Sequence, residues 1–262
     1  MLALRQTLAT ARLAALGSVL ESPIFLLDYL LRLLRVAVLL ALWRIVLGAN
    51  PEASPIALAS VLTYALLGEV FGDQLSVRTT IADAFWQGTI AQHFLRPMAL
   101  VGQFASEMLG GWLVNFALFS LPLLFAAPLF GVDPWPASAT SALLFALSLA
   151  LAICVGLAID FIVAALTVAL EQPVWLMQWV SQAVAMVLSG AVIPLALLPW
   201  GLGDALEWLP FASLAWAPLS IYTGIGEAPR LIALQVVWAA VLWPVAGWLW
   251  RAHREKVVGF GG

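Results

Sequence analysis

The groups able to do chemistry in this chain are few. Its two histidines, His93 and His253, both fall in polar stretches beside apolar runs and not within one. A serine-histidine dyad or an HExxH zinc site inside a membrane span is thereby excluded. A phosphate-binding P-loop needs a lysine directly after its last glycine. The only lysine, Lys256, lies in Glu-Lys-Val-Val-Gly-Phe-Gly-Gly, so the chain has no such device for hydrolysing ATP. The single cysteine, Cys154, can form no internal disulfide and no metal-binding pair, and it reads as packing. The sequence thus offers no catalytic, cofactor-binding or metal-ligating residue. What remains is a set of charges in apolar surroundings: Arg32, Arg35, Arg44, Glu69, Glu107 and Asp160. An unpaired charge at bilayer depth costs several kcal/mol, so such residues need partners or carry ions. For Glu107 and Asp160, structural pairing and an ion pathway both stay open.

These charges have to be positioned by long apolar helices. The composition is 64% hydrophobic and 10% charged, far from the balance of a water-soluble domain. Residues 108–132, 134–159, 172–203 and 231–250 carry no charge at all, and runs of that length cross the hydrocarbon as helices. The pattern predicts an all-α membrane protein, residues 1–262 forming one transmembrane domain of six helices: about 30–48, 55–73, 99–130, 138–160, 173–193 and 231–250. Residues 1–22 place Leu4, Leu8, Ala15 and Val19 on one stripe and Arg5 and Arg12 on another, which suits an amphipathic helix in the membrane interface. Residues 161–171 read as an inner turn. Residues 194–226 are broken by Pro194, Pro199, Pro210 and Pro218 into apolar pieces too short to cross. Two short re-entrant outer helices between spans five and six are the expectation, because irregular backbone at membrane depth must be buried in protein or face a watery cavity.

Two features of this plan can be checked by counting. If spans one and two form a hairpin about the turn near Gly48 and Pro55, a rise of about 1.5 Å per residue puts Glu69 level with residue 34. Arg35 and Glu69 are therefore expected to form an ion pair. Six spans put both termini on one side, where Arg5, Arg12, Arg32, Arg35, Arg78, Arg96, Arg251, Arg254 and Lys256 also fall, against Arg44 and Arg230 outside. That asymmetry makes the termini cytoplasmic in a bacterial inner (plasma) membrane. Nothing in a net charge of -3 favours nucleic acid as a partner.

The polar stretch 74–98 holds an amphipathic segment at 80–94 and reads as a cytoplasmic helix. Its run Phe85-Trp86-Gln87-Gly88-Thr89-Ile90-Ala91-Gln92-His93-Phe94-Leu95-Arg96-Pro97 resembles the segment between spans two and three of bacterial ABC-2-type transporter permeases. Ser189-Gly190-Ala191-Val192-Ile193-Pro194, Leu198-Pro199 and Leu209-Pro210-Phe211 are similar to that family's signature after span five, as is the Gly261-Gly262 ending. Phe161-Ile162 departs from the Phe-Trp pair common in the family after span four. The resemblance implies the membrane-spanning permease subunit of an ABC exporter, paired with a second, different or identical permease and driven by a separate nucleotide-binding ATPase subunit. That ATPase, not this chain, would hold ATP and magnesium. It further implies ATPase docking through a coupling helix at 80–94, with Asp83, Phe85, Trp86, Gly88, Ile90 and Arg96 as contact residues. Residues 1–22 become a connecting helix, and Ser189, Gly190, Pro194, Pro199, Pro210 and Phe211 an outer gate. Exposed aromatics at Phe85 and Trp86 would need a partner groove to cover them. An ion-coupled secondary transporter and a non-transporting membrane assembly subunit are the competing readings.

Overall fold

The computed structural model describes residues 25–49 and 55–253. The helix expected at 1–22, the Asn50-Pro51 turn, and the tail with Arg254, Lys256 and Gly261-Gly262 lie outside these residues, as does the side chain of Trp86. In α1 (Phe25–Gly48) Val36, Leu40, Trp43 and Leu47 recur at helical spacing and are buried with Val61, Leu62, Ala65 and Leu66 of α2 (Leu58–Val70). On other faces of α1, Leu30, Leu34, Val38, Leu42 and Ile45 are exposed. A helix apolar on opposite faces serves two apolar neighbours, protein on one side and lipid on the other.

Beyond α2 a one-turn helix α3 (Gly72–Leu75) leads through an extended stretch to α4 (Ile81–Trp86) and α5 (Ile90–Phe94). Next, α6 (Leu100–Asn115) passes through a π turn at Phe116–Ser120 into α7 (Leu121–Ala126) and a 3-10 turn at Ala127–Phe130. The π turn lies where Pro122 lacks the N–H that would bond to the carbonyl of Leu118, so the ladder widens there without stopping. The longest helix is α8 (Ala139–Ala169), capped by Ser138, whose Oγ accepts from the N–H of Ser141 at 3.0 Å. Then come α9 (Val174–Leu188), the short α10 (Leu202–Glu207) and α11 (Trp216–Thr223), and finally α12 (Ala228–Ala252), which packs along α8.

Every regular element among the described residues is helical. Three stretches are long and apolar enough to cross a membrane: Leu100–Phe130, Ala139–Ala169 and Ala228–Ala252, with mean hydropathies of 2.0, 2.7 and 1.8. At 13 and 15 residues, α2 and α9 are shorter. They rise about 20–23 Å, less than the ~30 Å of hydrocarbon. The fifth helix thus ends at Leu188, not Ile193.

Two further expectations are corrected. Residues 161–171 are not a turn: α8 continues to Ala169, since no glycine or proline interrupts 157–172, and the chain reverses only at Glu171, at φ 53°, before Pro173. Nor is 80–94 one helix, because Gly88 at φ 68° separates α4 from α5.

Helix α8 also serves as a ruler. Near its start the backbone N–H of Ala137 donates to the carbonyl of Tyr222, while Asp160 takes hydrogen bonds from Thr79. Those points are some 21–23 residues apart, about 32–35 Å along a helix, which is the thickness of a hydrocarbon core. The α4–α5 segment and the end of α11 therefore lie toward opposite ends of α8.

Candidate functional site

The stretch 77–80 enters α4 and touches three other helices, α8, α9 and α6. Val77 lies on Gly156 of α8, where a Cβ added to that glycine would stand 2.6 Å from the valine's Cβ. Arg78 donates from Nη2 to Oε1 of Gln178 on α9 at 3.0 Å. Thr79 is buried and donates both its backbone N–H and its hydroxyl to Oδ2 of Asp160 on α8, at 3.1 and 2.5 Å. Thr80 donates its hydroxyl to Oε2 of Glu107 on α6 at 3.2 Å, and Oε1 of the same carboxylate meets Nη1 of Arg96 at 3.2 Å. The two acids left open by the sequence thus take up hydrogen bonds from the segment between α3 and α6.

Behind this strap, Ile81, Ala84, Phe85 and Ile90 are buried with Phe104, Phe161, Ala164, Val168 and Ala246. Phe85, only 3% exposed, stacks on Trp250 of α12 with ring centroids 5.8 Å apart. The expectation that Phe85 stands exposed for a partner is therefore overturned: α12 returns to cover it. Ile90 is likewise buried, Asp83 and Gly88 are half-buried, and Arg96 is exposed. The apolar surface left open is instead that of Phe94 and of Leu95, 86% exposed, next to the exposed Gln87, Ala91 and Gln92. Helix α5 is fixed from behind by Gln103, whose Nε2 donates to the carbonyls of His93 and Met98 at 2.9 and 2.7 Å. Its Oε1 then accepts from Nδ1 of His93 at 3.1 Å.

Between α1 and α2, Nε of Arg35 stands 2.9 Å from Oε1 of Glu69, and the Arg32 guanidinium lies over the Phe119 ring at 4.7 Å. Ser189 and Gly190 are buried at the close of α9. The Gly190 carbonyl accepts from the Tyr64 hydroxyl at 2.7 Å, and the Ser189 carbonyl from the N–H of Trp216 at 2.9 Å. Pro194 is buried beside them, Pro210 and Phe211 open a half-buried 3-10 turn (Pro210–Ser213), and Pro199 is exposed and apart. That turn is held by Gln235 of α12, fully buried, which donates to the carbonyls of Ser213 and Ser148 at 2.9 and 3.0 Å and accepts from the Ser148 hydroxyl at 2.9 Å. Among the described residues no group of three or more histidine, cysteine or acidic side chains could hold a metal ion.

Compared with known families, residues 36–258 match the family model described as ABC-2 family transporter protein. The chain belongs to the ABC-2 transporter family. A search of the curated proteins finds no match. Membership makes it a transmembrane permease component of an ABC-type transporter, a transport part that associates with an ATP-binding subunit in the membrane. In such a permease, the strap and the α4–α5 segment join several membrane helices to one exposed surface. Thr79, Thr80 and Leu95 were missed by sequence reasoning. Polar threonines beside a charged run carry no local mark, and only the register of α6 and α8 brings their acids within reach.

Proposed function

We propose that this permease is the membrane half of an exporter, in which closure of the partner ATPase pushes on the α4–α5 segment and the strap 77–80 passes that displacement to the spans. The observation that carries the reading is the strap itself: four consecutive residues contacting α8, α9 and α6, three of them through side-chain hydrogen bonds. A segment so attached cannot shift without moving those helices. The docking surface is the exposed set Gln87, Ala91, Phe94 and Leu95, with buried Phe85 and Ile90 as its support. Six spans then correspond to α1, α2, α6–α7, α8, α9 and α12, with α2 and α9 extended by the irregular residues at their ends. The basic residues of the α4–α5 end make that end cytoplasmic. Residues 194–226 are its outer, re-entrant cap, gated at Ser189 and Gly190. A second permease completes the path, and few polar groups line it, which favours an amphipathic or hydrophobic cargo.

The test is co-purification in mild detergent of tagged permease with its ATPase, comparing wild type with Leu95→Glu and Gln87→Glu. Loss of the ATPase from both variants, with the permease still monodisperse, is the expected result. Retention of the ATPase at the wild-type ratio sinks the docking assignment. Failure of wild type to bring down any ATPase sinks the exporter reading.

A further inference from the structure

A cavity of about 470 Å³ lies where α5 and the start of α6 face α8 and α12, with Phe94 of the docking surface among its lining residues. Its volume falls within the range of small-ligand sites, roughly 300–1,000 Å³. Among its lining residues are His93, Met98, Phe161, Trp243, Gly247 and Trp250. The rings of Phe161 and Trp250 are 5.7 Å apart, and those of Phe161 and Trp243 6.4 Å. Both indole N–H groups are already engaged: Trp250 donates to the carbonyl of Phe161 at 3.0 Å, and Trp243 to the sulfur of Cys154 at 3.2 Å. What these tryptophans offer an occupant is ring surface, not hydrogen bonds.

The space exists in part because Gly247 has no side chain. A Cβ added there would meet nothing within 4 Å. One turn further on, exposed Arg251 folds back so that its Nε donates to the carbonyl of the lining residue Gly247 at 3.1 Å, which sets a guanidinium beside that residue. The same helix exposes Val241, Val245 and Trp248 to the surrounding membrane. An apolar slot with a cation beside one of its lining residues, on a lipid-facing helix in the last turn before the interface, is complementary to an acyl chain with an anionic head. Basic pockets between membrane helices favour such lipids over neutral ones.

The geometry points to a binding site for an anionic phospholipid of the leaflet at the α4–α5 end. Its acyl chain lies against Trp243 and Trp250, and its phosphate meets Arg251. The lipid buttresses α5 against α12, so its presence stiffens the docking surface.

Native mass spectrometry of the full-length protein, with added phosphatidylglycerol or phosphatidylethanolamine, tests the assignment. Gly247→Leu fills the slot without a backbone clash. Gly111→Leu is the control, since its Cβ is equally open and it lies on α6 away from the cavity. Wild type and Gly111→Leu should each retain one phosphatidylglycerol per chain, and Gly247→Leu should lose it by about tenfold or more. Arg251→Gln should still retain lipid while losing the preference for phosphatidylglycerol by about tenfold. Equal retention by Gly247→Leu and wild type overturns the site, and absence of any preference in wild type overturns the anionic assignment. Should Gly247→Leu fail to fold, phosphatidylglycerol carrying an acyl-chain diazirine gives an independent answer on wild type: labelling must fall on the peptide containing 243–250, and labelling confined to other helices refutes the proposal. These outcomes are read on the permease alone and stand whether or not an ATPase co-purifies.

Discussion

Replacing Thr79 by valine removes one oxygen from the strap and leaves its shape almost unchanged. Asp160 then keeps the backbone N–H of residue 79 and loses the hydroxyl, the shorter of its two contacts at 2.5 Å. A hydrogen bond to a charged group contributes about 1.5–3 kcal/mol net. Since each 1.4 kcal/mol is a factor of ten, the fraction of molecules with the strap seated on α8 should fall by about 10- to 100-fold relative to the detached form. The docking surface at Leu95 is untouched, so the ATPase should still co-purify. The expected signature is therefore uncoupling: binding retained, a lower thermal midpoint for the permease, and weakened ATPase stimulation when the complex is reconstituted in liposomes. Thr79→Ser keeps the hydroxyl and should restore both readouts. If valine matches wild type in midpoint and stimulation, or serine is as damaging as valine, the strap does not transmit force and the reasoning is wrong.

Three further outcomes are expected. Exchanging the charges of Arg35 and Glu69 singly should lower expression and thermal midpoint, and the double exchange should recover most of the loss; equal damage in all three variants would show that the 2.9 Å contact is not what matters. Gln235→Leu leaves the carbonyl of Ser213 without its donor and the hydroxyl of Ser148 without its acceptor, at about 1–3 kcal/mol for each buried group. A drop in thermal midpoint and faster proteolysis within 194–226 should follow, and an unchanged protease pattern would remove Gln235 as the anchor of the cap. Gly156→Ala sets a methyl against the Cβ of Val77, and pairing it with Val77→Gly, which removes that Cβ, should relieve the strain; additive losses in the double variant, measured by thermal midpoint, would argue against the close approach.

The parts of this molecule legible from the chain are those fixed by local period and one-dimensional counting. Charge-free runs announce the long helices, because every backbone polar group in hydrocarbon must be satisfied within its own segment. Arg35 and Glu69 are brought together by the rise of two helices joined by a short turn, which needs no knowledge of the rest of the fold. Prolines at 194, 199, 210 and 218 announce short pieces, and the structure has them as α10, α11 and 3-10 turns at Leu195–Leu197 and Pro210–Ser213.

Helix ends were less legible. Nothing in residues 161–169 distinguishes an apolar turn from more helix, and only the packing of Phe161, Ala164 and Val168 against α4 and α12 extends α8 to Ala169. The aromatic character of residue 85 suggested a surface awaiting a partner. Its actual cover is Trp250, 165 positions away, and no local pattern can say that a distant helix returns to that spot. Thr79 and Asp160 are 81 positions apart, and their contact depends on the register of α8 against the strap, set jointly by Gly156, Val77 and the buried aromatic cluster. The sequence by itself determined that the chain is helical and membrane-bound, with no P-loop lysine and no histidine within a span, because hydropathy and residue type act locally. Which acids hold which threonines, which aromatics are covered, and where a cavity remains between α5 and α12 were decided only in the tertiary structure, because they depend on which faces of distant helices meet.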